Sequence, residues 1–293
     1  MPGVTLVAVV DTAPGRAAEI AGAHGGEALD DWRAILGRVD AVTVAVPTES
    51  HTGIAIGCLD AGAAVLVEKP LASSVADATR IVEAAARRGV VCAVGHSERF
   101  NPAVAAALPH IVDPRFVEIH RLGAFPDRSL DVDVIFDLMI HDLDLLLAAV
   151  GSDVVDIEAV GVNVLTPKTD IANARLRFAS GCIANLTASR ISRDRVRKAR
   201  FFQRASYVSI DFAAREVEVY RLAAGEGRPS IEGGRLTVAD DEPLRRELAD
   251  FVQAVREGRA PAVTAAAGRD ALVLATRVAD AMAAAGSAGA GQP

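Results

Sequence analysis

The chain has 293 residues and a formal net charge of −7, and 51% of its residues are hydrophobic and 24% charged. This balance is typical of a globular protein with room for two domains, and the acidic charge argues against a general nucleic-acid binder, which carries a basic face. No apolar run is long enough to cross a bilayer, no secretory signal is recognisable, and the three scattered cysteines form no C-x-x-C pair, so we expect a cytoplasmic protein with reduced core thiols and no metal site.

Strand and helix patterns alternate through the first 95 residues. Short, nearly continuous Val/Ala runs separated by helical patterns predict a doubly wound parallel sheet with helices on both faces. The predicted strands are Val4–Asp11, Asp40–Pro47, AAVLVEKP and VVCAVG. The predicted helices are APGRAAEIAGAHG, DDWRAILG, ESHTGIAIGCLDAG and SVADATRIVEAAARRG, capped by glycines or by Asp30, Asp31, Ser73 or Ser74.

The pattern changes after Gly95 and predicts an α+β domain over residues 96–287, with a flexible tail at 288–293. One helix, VIFDLMIHDLDLLLAAVG, precedes a series of β candidates, and a hairpin turn is expected at Ala179–Gly181. These candidates are VVDIEAVGVNVL, IANARLRFASGCIANLTASRIS, VRKARFFQR, YVSIDF and EVEVYRL. They predict a mostly antiparallel sheet with helices on one face, and two helices at about 243–256 and 268–285 close the chain.

Polar residues follow three consecutive predicted strands of the first domain. Because the carboxyl ends of parallel strands open into the ligand crevice, we expect these residues to share one site. An acid after the first strand can bind the ribose hydroxyls of adenosine and repel a 2′-phosphate, or it can cap the next helix. We expect the histidine after the second strand to pack over the cofactor rather than act as a base. The residues concerned are Asp11 and Thr12, then Pro47, Thr48 and His51, then Glu68, Lys69 and Pro70.

A second cluster lies in the apolar helix of the second domain. Asp137 and His141 are four residues apart and therefore share one helix face. A carboxylate beside an imidazole fixes the tautomer of the ring and raises its basicity, which suits a general base. The alternative is a surface pair, and the apolar neighbours favour burial and function instead. We expect Asp142 and Asp144 to be solvated or to cap the helix.

Two further segments offer candidate substrate ligands. Arg99 and Asn101, in GHSERFNP after the fourth strand, could bind substrate, or Arg99 could only brace the joint between the domains. The basic run SRISRDRVRKARFFQR could be a solvated strand edge, or its arginine forks could bind a substrate diphosphate. Ser189, Arg190 and Arg197 are the candidates in that run.

With TVAVPTESH, EKPLA, GHSERFNP and FDLMIHDLDLL in this order and spacing, the chain resembles the glucose–fructose oxidoreductase/inositol dehydrogenase (Gfo/Idh/MocA) family over nearly its whole length. The resemblance implies an N-terminal Rossmann domain that binds NAD and a C-terminal open sheet that builds a homodimer or homotetramer. It also implies that Lys69 holds the reacting oxygen beside the nicotinamide, that Pro70 fixes the turn, and that His141 with Asp137 handles the proton.

Within the family, three segments resemble the branch that oxidises the 3-hydroxyl of UDP-N-acetylglucosamine ahead of transamination, on the route to diamino-sugar lipid A. These segments are GHSERFNP, RSLDVDVIFDLMIHDLDLLL and DIANARLRFASGCIANLTASR. The alternative within the family is an inositol or free-sugar dehydrogenase.

The first strand of the sequence is out of pattern for this family. Members open with a strand and a G-x-G-x-x-G turn that holds the pyrophosphate, whereas this chain begins at the pattern of the second strand. We expect either a start assigned too late or a lost cofactor site. In the second case the chain would be a non-catalytic remnant that only oligomerises or binds a sugar nucleotide.

Overall fold

The computed structural model describes residues 1–13, 15–125, 132–223 and 230–289. By compactness the chain divides into two units, residues 1–95 with 247–269 and residues 96–246 with 270–293. The sequence analysis groups 247–269 with the second domain, and in space this stretch clusters with the first unit. Among the described residues, no helix combines the length and apolarity that a membrane crossing requires.

The first 95 residues form two small parallel sheets with their helices. The strands are β1 (Ala8–Val10), β2 (Glu27–Leu29), β3 (Ala41–Val44), β4 (Ala64–Glu68) and β5 (Cys92–Gly95). The helices are α1 (Arg16–His24), α2 (Thr48–Asp60) and α3 (Val75–Arg88), with a 3₁₀ turn at Trp32–Ile35. β1 pairs with β2, and β4 lies between β3 and β5. The predicted parallel arrangement is confirmed.

Strand β1 is shorter than predicted and pairs with a strand that the sequence analysis missed. The pattern predicts Val4–Asp11, but Val4 and Leu6 are 45% and 44% exposed. Pairing explains the difference, because β2 offers only three residues, Glu27–Leu29, for β1 to bond with. β2 escapes recognition because two of these three residues are exposed and the segment has no apolar run.

Residues 96–246 build the eight-stranded sheet of the second unit. Helix α4 (Pro102–Ala107) precedes β6 (Phe116–Leu122), and a π-helical turn at Ile135–Met139 runs into α5 (Ile140–Val150). The remaining strands are β7 (Val154–Val162), β8 (Ile171–Phe178), β9 (Ile183–Ser189), β10 (Val196–Phe202), β11 (Ser206–Asp211), β12 (Glu216–Ala223) and β13 (Ser230–Arg235). Helices α6 (Pro243–Glu257) and α7 (Ala265–Gly289) follow.

The eight strands of this sheet run in the order β13-β12-β11-β10-β6-β9-β8-β7, and β6 and β9 are its parallel pair. The prediction of a mostly antiparallel sheet is confirmed. Alternate residues of β8 and β9 are buried with apolar residues of the π turn, α5 and α7, so the helices cover one face of the sheet. The cysteines Cys58, Cys92 and Cys182 are buried and form no disulfide, as predicted.

Candidate active site

The junction after β4 is held by its own backbone and side chains. Residues 64–67 are fully buried, and the Glu68 side chain at the strand end accepts a hydrogen bond from the Lys69 amide (3.3 Å). The Lys69–Pro70 peptide bond is cis. The next residue, Leu71, has no exposed surface and anchors the chain beyond the turn. Lys69 is therefore a half-buried side chain on a fixed turn at the carboxyl end of a parallel strand.

His51 ties this turn to the segment after β3. The side chain is 1% exposed, with Nδ1 3.0 Å from the Pro70 carbonyl oxygen and Nε2 2.9 Å from the Val46 carbonyl oxygen. Both ring nitrogens are therefore used on the backbone. The arrangement makes His51 a brace between two strand ends, and its packing over a cofactor stays a prediction.

Asp11 follows β1 with one oxygen in a local turn. Its Oδ1 accepts a hydrogen bond from the Ala13 amide (2.8 Å), and its Oδ2 lies 3.3 Å from Arg16 Nε. The alternative role as a helix cap is not what the structure contains, because Gly15 occupies the N-cap position of α1. The Asp11 side chain is 32% exposed, so a ribose hydroxyl can reach it.

Residues at the strand ends of the first unit have the chemical groups that can bind parts of a dinucleotide. Asp11 offers a ribose acceptor, Pro47 caps α2 and leaves Thr48 as its first residue, and Lys69 supplies a cation. Positive groups and helix starts at carboxyl strand ends are the usual donors for such a ligand. Among the described residues, no glycine-rich turn joins a strand to a helix in the order that cradles a pyrophosphate.

In the second unit, Asp137 and His141 lie on one continuous helical segment. Asp137 is in the π turn and His141 is the second residue of α5, and both are half-buried. The start of the segment is fixed by Thr169, whose amide donates to Asp133 Oδ1 (2.8 Å) and whose carbonyl accepts from the Val134 amide (3.1 Å). π turns inside helices are frequent at functional sites, and the sequence pattern predicted an ordinary helix here.

His96 is a candidate site residue that the sequence analysis missed. It follows β5, has no exposed surface, and its ring lies edge to face with the ring of His141 at a centroid distance of 6.0 Å and an interplanar angle of 89°. The signal is present in GHSERFNP, where a histidine comes directly after a buried strand, three residues before the candidate Arg99 and five before Asn101.

The expectation that Asp142 and Asp144 are solvated is wrong, because they are 1% and 2% exposed. Arg121 donates through Nη2 to Asp142 Oδ1 (2.6 Å) and to Glu98 Oε2 (2.9 Å). Arg99 reaches Asp144 Oδ1 at 3.4 Å. These pairs brace α5 against the segment after β5. The reason is geometric: a helix buried along most of its surface turns these carboxylates inward, where only a cation can neutralise them.

Burial dominates the ionisation of both carboxyl groups. It raises the pKa of Asp144 to about 6, and the opposing attraction of Arg99 offsets it only partly. Burial also raises the pKa of Asp142, against the attraction of Arg121 and, more weakly, Arg197. Arg197 therefore makes a small contribution to the ionisation of Asp142.

Three of the predicted substrate ligands are occupied by contacts within the protein. Asn101 caps α4 by accepting from the Ala103 amide (3.0 Å) and donates to the Phe212 carbonyl (3.2 Å). Ser189 is fully buried and accepts from the Ile191 amide at 3.2 Å. Arg190 is 2% exposed and donates to Asp170 Oδ1 through Nε at 2.9 Å.

Arg197 has a different environment from Arg190. It is exposed at the start of β10, directly opposite Arg121 in the β10–β6 register. Arg193 and Arg195, just before the strand, are exposed as well. The basic run is thus divided between one buried structural arginine and an exposed group that an anion can reach.

Comparison with known proteins places these elements in a family. Residues 1–96 match the profile described as "Oxidoreductase family, NAD-binding Rossmann fold", and residues 111–205 match the GFO/IDH/MocA C-terminal domain. A UDP-N-acetylglucosamine 3-dehydrogenase from Acidithiobacillus ferrooxidans is 37% identical over 276 residues, which cover 93% of this chain and 88% of that protein. The chain belongs to the Gfo/Idh/MocA oxidoreductase family. The predicted family, fold class and NAD-binding Rossmann domain are thereby confirmed.

Solved structures agree with this assignment. The structure of the Acidithiobacillus ferrooxidans enzyme matches with a TM-score of 0.89 and 36% identity, covering 95% of this chain and 90% of that one. Levoglucosan dehydrogenase in complex with NADH and levoglucosan matches with a TM-score of 0.85 at 20% identity, over 94% and 88% of the two chains, and shares the fold.

A second relative found by sequence is a scyllo-inositol 2-dehydrogenase from Bacillus subtilis. It is 29% identical over 66% of this chain and 61% of its own length.

Proposed function

We propose that the protein is an NAD-dependent dehydrogenase that oxidises a sugar hydroxyl, the 3-hydroxyl of a UDP-N-acetyl-hexosamine. The observation that carries the proposal is the 37% identity to a UDP-N-acetylglucosamine 3-dehydrogenase over 93% of the chain. Identity spread over both domains covers the cofactor half and the substrate half together. The motifs EKP and Asp137-x-x-x-His141 support the same chemistry.

Three side chains carry the proposed reaction. Lys69 holds the reacting oxygen and stabilises the negative charge that develops on it. His141 removes the hydroxyl proton as general base, and Asp137 orients the imidazole and stabilises its protonated form. The chemistry that bound NAD supplies is acceptance of the hydride from the sugar carbon.

The first unit holds the cofactor in this proposal. Asp11, with Thr12 beside it, would bind the adenosine ribose, and Pro47 and Thr48 at the start of α2 would contact the remainder of the cofactor. The Glu68-Lys69-Pro70 turn would hold the nicotinamide end. His51 keeps this turn and the segment after β3 together, so its role is positioning, supported by its two backbone contacts.

The exposed arginines before and in β10 bind the substrate diphosphate. Arg197, with Arg193 and Arg195 nearby in sequence, presents forked donors that match phosphate oxygens. Arg99, half-buried beside Asp144, also contacts the substrate in this proposal. Asn101, Ser189 and Arg190 act by holding the surrounding backbone.

Calorimetry with UDP-N-acetylglucosamine and N-acetylglucosamine tests the sugar-nucleotide part. Tighter binding of the nucleotide sugar, weakened at least tenfold by Arg197→Gln, supports it. Arg204→Gln is the matched control, since Arg204 is exposed just beyond the other end of β10. Equal affinities for the two ligands would favour a second candidate function, that of an inositol or free-sugar dehydrogenase. The similarity to the Bacillus subtilis scyllo-inositol 2-dehydrogenase is the observation that supports this second function.

We also propose that the protein forms a homodimer or homotetramer in the cytoplasm through the open face of the eight-stranded sheet. A row of aromatic rings crosses this face, with centroid distances of 5.7 Å for Phe116–Phe202, 5.1 Å for Phe202–Tyr207 and 6.4 Å for Tyr207–Tyr220. Such rings are favoured at protein interfaces. Light scattering of the wild type and of Tyr207→Lys tests this: a monomeric wild type would contradict it.

A further inference from the structure

Helix α6 brings an acidic residue to the sheet of the first unit. Phe251 of α6 is 3% exposed and packs with Ala64 and Leu66 of β4 and Ala93 of β5. Glu247 lies four residues before Phe251, on the same side of the helix. Glu247 is 2% exposed. The apolar contacts of Phe251 therefore hold the Glu247 carboxyl group against the sheet.

The Glu68 carboxyl group lies on the same face of the sheet. Side chains alternate along a strand, so Ala64, Leu66 and Glu68 all point toward α6. The Glu68 carboxylate extends over the neighbouring strand, where a Cβ on Gly95 would lie 3.0 Å from Glu68 Oε2. Glycine at position 95 leaves room for this carboxylate.

Glu247 has an unusual environment for an acid. Its Oε2 is buried, and no hydrogen-bond partner for it is found in the described part of the chain. An ionised carboxylate buried in that position would be costly unless a cation or hydrogen-bond donors compensated it. The protonated form avoids this cost and can donate a hydrogen bond to a neighbouring carboxylate.

We propose that Glu247 stays protonated in the folded protein and, by sharing its proton with Glu68, positions the turn that carries Lys69. Glu68 in turn accepts a hydrogen bond from the Lys69 amide, so a proton shared between the two carboxyl groups would link α6 to the Lys69 backbone. Glu247 is a positioning residue, and the consequence for catalysis rests on the role of Lys69 given under the proposed function.

The charges around the pair support this assignment. Burial, and then repulsion by Glu68, raise the pKa of Glu247 from 4.5 to about 8. Other titratable groups on the packed elements include Lys69 beyond β4 and the buried thiol of Cys92 on β5, whose pKa burial raises to about 12. Helix α6 also carries Arg245, Arg246, Arg256 and Glu257. On α6 itself, Asp250 is bonded to Arg259 at 2.8 Å. Among these groups, Glu68 is the one whose charge raises the pKa of Glu247.

Stability as a function of pH tests the protonation without any assay of activity. The folded pKa of Glu247 lies above the unfolded value of 4.5, so the folded state holds the extra proton and the wild type loses stability as pH rises from 4.5 to about 8. Glu247→Gln cannot lose that proton. Its unfolding midpoint should therefore rise relative to the wild type across this window and then level off.

Glu19→Gln, an exposed substitution on α1, is the control and should give a difference that does not change with pH across the window. Infrared difference spectra of wild type against Glu247→Gln at neutral pH should contain one protonated carboxyl band. An absent band, or a Glu247→Gln effect that is the same at every pH, would overturn the proposal.

The pH dependence of kcat/KM tests the link to Lys69. We expect wild-type activity to fall above pH 8 in a step that Glu247→Gln removes, while Glu247→Ala, which removes the donor, should lower activity at all pH values. An identical alkaline limb in wild type and Glu247→Gln would contradict the positioning role. Failure of the proposed function is a separate result, because it would appear as undiminished turnover in Lys69→Ala with the infrared band still present.

Discussion

The rings of His96 and His141 meet edge to face, with centroids 6.0 Å apart, in the second unit of the protein. His96 is fully buried and His141 is half-buried, so the inner ring limits how the outer one can turn. A general base must keep its ring at a fixed angle to the proton that it removes. We infer that His96 packs behind His141 and restricts its orientation.

His141→Ala should lower kcat by about 10²–10⁴-fold, the usual contribution of general acid–base catalysis. His96→Leu keeps the volume of the site but loses the edge-to-face contact, and we expect a smaller fall in kcat with little change in the KM for NAD. Steady-state kinetics of both variants provide the measurement. A larger loss in His96→Leu than in His141→Ala would reverse the two assignments.

The ion pair between Asp11 and Arg16 predicts how the protein distinguishes NAD from NADP. The Asp11 carboxylate repels a 2′-phosphate, whereas Arg16, 72% exposed and 3.3 Å away, attracts it. Asp11→Asn should reduce the preference for NAD by about tenfold or more, because a charge-assisted hydrogen bond contributes about 1.5–3 kcal/mol.

Arg16→Ala should shift the same preference in the opposite direction, toward NAD. The comparison is the ratio of kcat/KM for the two cofactors, with Arg33→Ala as an exposed control in the same domain. If NADP is used as well as NAD by the wild type, Asp11 does not have the proposed role.

Much of this arrangement was predictable because it depends on local pattern. The run from Ala64 to Glu68 is apolar until its last residue, and Lys69-Pro70 follows at once, so the strand and its functional end are both visible in the sequence. The hairpin at Ala179–Gly181 is equally local: Gly181 has φ 83° and its amide bonds to the Phe178 carbonyl.

The features that could not be predicted from the sequence depend on contacts between residues that are far apart along the chain. Strand β6 was missed because its inward positions read Val117, Ile119 and then Arg121, which breaks the apolar alternation. Arg121 can point inward because Asp142, 21 residues later, and Glu98, 23 residues earlier, neutralise it. Glu247 gave no signal either, since its burial follows from the docking of α6 on β4.

The pair Arg99–Asp144 gives a prediction about ionisation. Burial raises the pKa of Asp144 to about 6, and Arg99 opposes this effect. Arg99→Gln should therefore raise the pKa of Asp144 further, because it removes the neighbouring positive charge. Carboxyl carbon shifts followed by NMR across pH 4 to 8 measure the change. A lower midpoint in Arg99→Gln would mean that another cation stabilises Asp144.

Arg190 is predicted to matter for stability rather than for substrate affinity. It is paired with the fully buried Asp170 at 2.9 Å and donates through Nη1 to the Val132 carbonyl. Burial raises the pKa of Asp170, but hydrogen bonds from the Leu165 amide, from Thr166 and from Arg190 outweigh it and hold the pKa well below the usual value.

Arg190→Met should lower the free energy of unfolding by about 3–5 kcal/mol, since it leaves a buried charge without its partner. Urea denaturation at pH 7 measures the loss, and Arg193→Met, at an exposed position, should be close to neutral. The loss should diminish as pH falls toward the pKa of Asp170, because protonation removes the unpaired charge. An unchanged midpoint for Arg190→Met would contradict the structural role.

The central claim is that Lys69 serves an NAD-dependent oxidation of a UDP-N-acetyl-hexosamine. Its most direct test is the formation of NADH, followed by absorbance, when the protein is mixed with NAD and UDP-N-acetylglucosamine, beside reactions with N-acetylglucosamine and myo-inositol. We predict turnover with the UDP-sugar above that with the other two, and a loss of about 10²-fold or more in Lys69→Ala, because the cation acts on charge in the transition state. Turnover that is undiminished in Lys69→Ala, or NADH formed from inositol but not from the UDP-sugar, would contradict the account.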